Sequence, residues 1–255
     1  MASQSNSNDA DSVGAARIGL ETFLPADRRR AILDGIDLPR RMFGAALFVD
    51  LTGFTTLTDR LVRQYGARLG AERLSEELGT LFEMAVARVH RHGGSVIGFA
   101  GDAITCWFAG RDGVLGAVAA ASEVQAQANM PVKLVVTSGF ASRFLVGDPD
   151  IQVLEVLAGA VVDRLGVVEQ LARPGEVLVG GEILGWLGDR AQFEWRRDDL
   201  LLADRRTPEG ESFAVIRAHS LPPPAPMTSW PPTLPARSAS ASSAPVTSGR
   251  DPSGD

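Results

Sequence analysis

SVIGFAGDAITCWFAG, residues 95–110, is the stretch on which the fold turns. It reads as two short apolar strands around a tight Ala100-Gly101-Asp102 turn, which makes a hairpin and therefore an antiparallel pair. Just upstream, Gly93-Gly94 stops a long helical pattern. From Thr55 to His92, Leu57, Leu61, Leu74, Leu78, Leu81, Phe82, Ala85, Val86 and Val89 recur at three- and four-residue intervals, with charges between them. Before that helix lies GAALFVDLTGF (44–54), an apolar run of strand length ending in a carboxylate and a small-residue loop. Such a run is either buried on both faces of a sheet or one strand of a central hairpin.

Outward from this core the alternation continues. Residues 21–40 predict a short helix between proline-marked turns, and 112–128 an Ala/Val helix. Pro131 marks the step into the strand VKLVVTSGF (132–140). Two shorter strands, RFLVG (143–147) and IQVLEVLAG (151–159), flank the turn at Asp148-Pro149. A helix over 160–173 closes at Pro174-Gly175, and the strand EVLVG (176–180), a short helix and the strand SFAVIRA (212–218) finish the domain. Strands and helices alternate, yet two connections are hairpins, so the sheet is mixed. The fold class is α+β, a ferredoxin-like mixed sheet with helices packed on it.

Composition sets the boundaries. Residues 1–20 open on Ser, Asn and Asp and read as a disordered N-terminus, while 21–218 are rich enough in Val, Leu, Ala and Gly for one buried core. Residues 219–255 are Pro, Ser, Thr and Ala, a disordered tail or truncated linker with too little apolar surface to fold alone. A net charge of −6 without a basic stripe argues against nucleic acid as a partner. The single cysteine, Cys106, excludes an intrachain disulfide framework and reads as a small buried hydrophobe. Neither a signal-peptide pattern nor an apolar run of membrane length is present, so the expected setting is cytoplasmic.

Two carboxylates stand out by position. Asp50 ends the apolar strand, and Asp102 sits at the hairpin tip between Gly101 and Ala103. A charge at the end of a buried strand is costly unless paired or liganded. Two neighbouring strands ending in aspartates would set two hard oxygen ligands side by side, which suits two magnesium ions on a triphosphate. The loop Leu51, Thr52, Gly53, Phe54 and Thr55 opens the long helix, where backbone N–H groups and the helix dipole favour phosphate. The plainer reading is that Asp50 caps the following helix and Asp102 is only a turn residue.

FVDLTGFTTLTDRL (48–61) and HGGSVIGFAGDAITCWF (92–108), with the helix between them, resemble the two metal-aspartate motifs of class III adenylyl and guanylyl cyclases. The resemblance spans about residues 44–180. It extends to bicarbonate-responsive soluble adenylyl cyclases and to bacterial proteins in which two cyclase domains precede an ATPase and helical repeats. It implies that Asp50, Asp102 and the Leu51 carbonyl hold two Mg²⁺ or Mn²⁺ ions, with Thr52 to Thr55 and Gly101 at the nucleotide. One metal would help activate the ribose 3′-hydroxyl, and the other would neutralise the triphosphate and the departing pyrophosphate.

The departures from that pattern are as informative. The Lys or Glu that reads the base four residues before the second aspartate is here Gly98, and the second base-reading position is Val156. The transition-state Asn and Arg match Asp163 and Val167, of which the first would repel a developing negative charge and the second could not stabilise it. Random decay would not sort the losses so cleanly. The resemblance therefore implies one half of a heterodimer that converts ATP, or GTP, to the cyclic nucleotide and pyrophosphate when a complementary cyclase domain supplies the missing groups. The rival is a catalytically silent cyclase-homology domain that binds nucleotide or dimerises to regulate something else. The basic residues of the bicarbonate pocket match Gly98 and Gly166, so that response is not expected.

Smaller signals remain. His90 and His92 at a helix end favour the helix dipole when cationic, and Arg28, Arg29 and Arg30 read as a solvated helix face. Trp230-Pro231-Pro232 resembles the linker that leads to the second cyclase domain of the bacterial tandem proteins, suggesting a fragment, split gene or shortened paralogue.

Overall fold

A computed structural model describes residues 20–148, 150–188, 192–196 and 212–216. A 3₁₀ turn at Leu20–Phe23 leads into α1 (Ala26–Leu33), β1 (Arg41–Leu51), the long helical segment α2 (Phe54–Arg91), β2 (Ser95–Ala100), β3 (Ala103–Ala109) and α3 (Gly110–Gln127). Then come β4 (Val132–Asp148), β5 (Gln152–Ala158), α4 (Ala160–Glu169), β6 (Glu176–Gly180), α5 (Gly181–Leu187), β7 (Phe193–Arg196) and β8 (Phe213–Ile216). The sheet runs β2-β3-β1-β4-β6-β8-β7, with β5 on the distal part of β4. Among the described residues β4 and β6 are parallel and every other pair is antiparallel. The mixed α+β sheet is as the two hairpins demand.

The apolar run of β1 is unbroken because both of its faces are covered. Ala45, Leu47 and Val49 join a core with α2 and α3, while Ala46 on the opposite face joins Trp107, Val135 and the α4 residues Val161, Leu165 and Val168. Gly44 is required by close packing, since a Cβ there would overlap the Phe108 carbonyl oxygen. Cys106 is fully buried, and burial pushes its thiol far up from the usual range. A thiol reagent added to the native protein should leave it unmodified, and label it only after denaturation.

Three elements differ from the sequence reading. The single helix expected over Thr55–His92 is two helices joined at Gly66, whose φ of 80° and ψ of 167° only glycine adopts readily. The chain then folds back so closely that a Cβ on Gly70 would lie 2.9 Å from the Leu61 backbone. The strands expected at 132–140 and 143–147 form one 17-residue strand, β4. It stays continuous because pairing passes from β1 to β5 at Ser142, which is in register with both Arg41 and Ala158. β7 was too short and too charged to stand out. The N-terminal 19 residues and the Pro/Ser-rich tail with Trp230 lie outside the described residues. No described helix is long and apolar enough to cross a membrane.

Asp27 and Arg28 correct the expectation of a solvated basic face on α1. Arg143 of β4 is paired with Asp27 through both ends of its guanidinium, and its Nε lies 2.6 Å from Glu155 of β5. Arg28 closes the cluster with a 2.8 Å bond to the same carboxylate. The side chains of Asp27, Arg143 and Glu155 are only 3, 1 and 4% exposed. Breaking such a pair strands a buried charge, at about 3–5 kcal/mol. Asp27→Ala should therefore lower the melting temperature by roughly 10 °C in a domain of this size, read by thermal unfolding. Arg28→Ala, at the more open end, should cost clearly less.

His92 also departs from expectation. Its side chain is fully buried at the end of α2, with Nε2 3.1 Å from Glu123. Burial, and then the neighbouring Arg91 and Arg88, hold its imidazole below the usual range despite Glu123. Burial and Arg29 do the same for His90. Neither is the cationic complement of the dipole; Arg88 and Arg91 remain in that last turn.

Candidate functional site

The site is assembled where β1 ends. Asp50 is in register with Ala103 of β3 on one side and with Lys133 of β4 on the other. Asp102 occupies the two-residue turn between β2 and β3, after Gly101, whose φ of 65° is easy only for glycine. The Leu51 N–H donates to the Asp102 carbonyl at 3.2 Å, tying the strand end to the hairpin tip. The Thr52 N–H donates to the Pro131 carbonyl at 3.0 Å, which anchors the loop before α2. Both aspartates therefore stand at one end of the sheet.

The plainer reading of Asp50 fails here. The residue capping α2 is Gly53, in a left-handed conformation, and no side chain caps the helix. Asp50 instead accepts a salt bridge from Lys133, with Nζ 3.1 Å from its Oδ2. Lys133 also lies 2.8 Å from Glu169, the last residue of α4. Burial pushes the Asp50 carboxyl above its ordinary value; Lys133 opposes this, and the nearby charges of Asp102 and Glu169 reinforce it. Burial works against the Lys133 charge, but Glu169 and Asp50 outweigh it and hold the ammonium above its usual range. Lys133 and Glu169 were missed in the sequence. The signal for the first was there: one lysine in an otherwise apolar strand start, PVKLVV. Nothing local marks Glu169.

The donor set fits hard divalent cations shared with a phosphate ligand. Among the described residues no group of three His, Cys, Asp or Glu could hold a metal unaided. Two carboxylates with a backbone carbonyl are what magnesium uses when phosphates complete its shell. An ammonium already stands on Asp50 as a cation, and Thr52 Oγ1 is buried without a hydrogen-bond partner beside the loop.

The partner-side positions sit elsewhere. Asp163 is exposed and Val167 half-buried, on the face of α4 opposite the core residues Val161, Leu165 and Val168. Groups there lie away from the core face of α4. A Cβ at Gly98 or Gly166 would meet nothing within 4 Å, leaving open space in place of side chains.

No family model matches the chain. It is similar to adenylate cyclase type 10 of Rattus norvegicus, 27% identical over an alignment of 169 residues that covers 60% of this chain and 10% of that protein. The same protein of Homo sapiens is 26% identical over 166 residues. The chain spans about a tenth of the length of these curated relatives. Among solved structures, the adenylyl cyclase CyaB from P. aeruginosa aligns with a TM-score of 0.59 at 16% identity, covering 69% of this chain and 94% of that one. The guanylate cyclase domain of RhGC from Catenaria anguillulae, in complex with GTP, aligns at 0.58 and 15%, covering 70% and 98%. A bacterial light-regulated adenylyl cyclase reaches 0.65 at 14%, covering 79% and 61%. At these identities the likeness is one of fold.

Proposed function

We infer that this chain, a class III nucleotidyl cyclase domain by fold and by sequence similarity, is the metal-bearing half of a two-domain cyclase acting on ATP, with GTP open. The observation that carries the reading is the union of Asp50 and Asp102 at one sheet end, with Asp50 half-buried and neither aspartate capping α2. Asp50, Asp102 and the Leu51 carbonyl would hold two divalent cations, which supply activation of the ribose hydroxyl and neutralisation of the phosphates. The loop from Thr52 to Thr55 offers its backbone N–H groups at the start of α2, where the helix dipole favours an anion.

The half-site character is supported by Asp163 and Val167, which lie away from the core face of α4 and offer nothing to a developing negative charge. A partner is further supported by the β4–β5 hairpin, where Phe144, Leu145, Val146, Ile151 and Leu154 are all exposed. Clustered apolar exposure of this kind marks an interaction surface. Asp163 and Val167 equally suit a silent, nucleotide-binding domain, and complementation decides between the two. Mixed with a domain carrying Lys, Asn and Arg at the positions of Gly98, Asp163 and Val167, the chain should form cyclic nucleotide from ATP. Nucleotide binding without turnover in every such mixture would establish the silent reading.

A further inference from the structure

Lys133 touches two carboxylates at once, and they are not equivalent. Its ammonium is 3.1 Å from Asp50, which the reading above gives to the metal, and 2.8 Å from Glu169, which belongs to another element and to no ligand set. All three side chains are half-buried. Asp102 is close enough for its charge to act on Asp50, which adds to the repulsion that the ammonium offsets. A divalent cation bound to Asp50 would stand a few ångströms from the Lys133 charge, a repulsion that is strong at that separation. Yet an ammonium that simply left Asp50 would sit unpaired in a half-buried place, which is also costly.

We propose that Lys133 is a resident counter-ion of Asp50 that a divalent cation displaces, and that Glu169 is the positioning residue that receives its ammonium. The inference rests on Asp50 being a metal ligand. Without metal the lysine bridges both carboxylates and offsets their repulsion. When a cation takes the Asp50 oxygen, the lysine shifts its whole charge to Glu169, keeping one hydrogen-bonded partner. No bond is made or broken, and no proton moves. Glu169 thus sets how readily the site exchanges a built-in cation for a metal, without itself being a ligand.

The test uses the full chain, Mn²⁺ alone without nucleotide, and binding read by loss of the free-ion electron paramagnetic resonance signal. Removing the competitor in Lys133→Gln should tighten Mn²⁺ binding about tenfold, as expected for a unit charge lost near a divalent ion in a partly solvated site. Glu169→Gln leaves the lysine with Asp50 as its sole carboxylate and should weaken binding several-fold. The deciding measurement is the double variant. If Glu169 acts through Lys133, Glu169→Gln changes little in the Lys133→Gln background. An equal loss in both backgrounds would make Glu169 a ligand or a field charge and overturn the inference, as would a Lys133→Gln chain that binds no tighter. Asp50→Asn separates the two levels: binding that survives it removes the metal reading itself. Binding that vanishes in Asp50→Asn while Lys133 and Glu169 variants match the unmodified chain removes only the exchange. Absence of binding in both the unmodified and Lys133→Gln chains overturns both.

Discussion

Incubated alone with ATP or GTP and either Mg²⁺ or Mn²⁺, the purified chain should form no measurable cyclic nucleotide. Chemistry of this type depends on groups aimed at the charge that develops in the transition state, and one such donor is worth roughly 10²–10³ in turnover. Here an aspartate and a valine hold both positions, and the first adds repulsion to the loss. Self-association would not help, because each copy would lack the same groups. The chain can, however, be made its own complement. A second copy carrying Gly98→Lys, Asp163→Asn and Val167→Arg would supply the base-reading lysine and the transition-state pair, with Asp50→Asn added so that its own sheet end cannot contribute. Room exists for these changes: a Cβ at Gly98 meets nothing, and Asp163 and Val167 face away from the core. Turnover should then arise only in the mixture of unmodified and complementing copies. Robust turnover by the unmodified chain alone would remove the half-site argument.

The parts of the fold that could be read were those in which local pattern and burial agree. β1 announced itself because both faces are covered, and the hairpin β2–β3 because a glycine must begin its turn. What escaped reading depended on partners distant in sequence. Gly66 looks like any glycine inside an amphipathic helix until the chain is seen folding back on Leu61 at Gly70. Asp27 and Arg28 look solvated until Arg143 and Glu155, more than a hundred residues on, bury against them. The site followed the same division. Asp50 and Asp102 were legible because a charge ending an apolar strand has few reasons to be there, whereas Lys133 and Glu169 acquire meaning only when β4 and the end of α4 are placed beside β1.

A triphosphate with Mn²⁺ should raise the melting temperature of the unmodified chain even without turnover, and either Asp50→Asn or Asp102→Asn should abolish that rise. Mass action sets the scale: at ten times the dissociation constant the stabilisation is about 1.4 kcal/mol, roughly 4 °C for a domain of this size. On the half-site reading, half of the nucleotide's contacts would come from the partner, so the assay calls for millimolar concentrations. Asparagine keeps the size of aspartate and loses the charge that holds a divalent ion. The two readings also separate without ligand. The folded-state carboxyl of Asp50 is raised by burial and by its acidic neighbours, so its ionised form destabilises the native state at neutral pH. Asp50→Asn should therefore leave the ligand-free domain as stable as before or more so at pH 7, with Lys133 still held by Glu169. That advantage should fade as pH falls through the raised folded-state value, where Asp50 becomes neutral as well. A purely structural aspartate gives the reverse: a loss of stability without ligand and an unaltered response to metal and nucleotide. That outcome would leave the sheet end without a metal function.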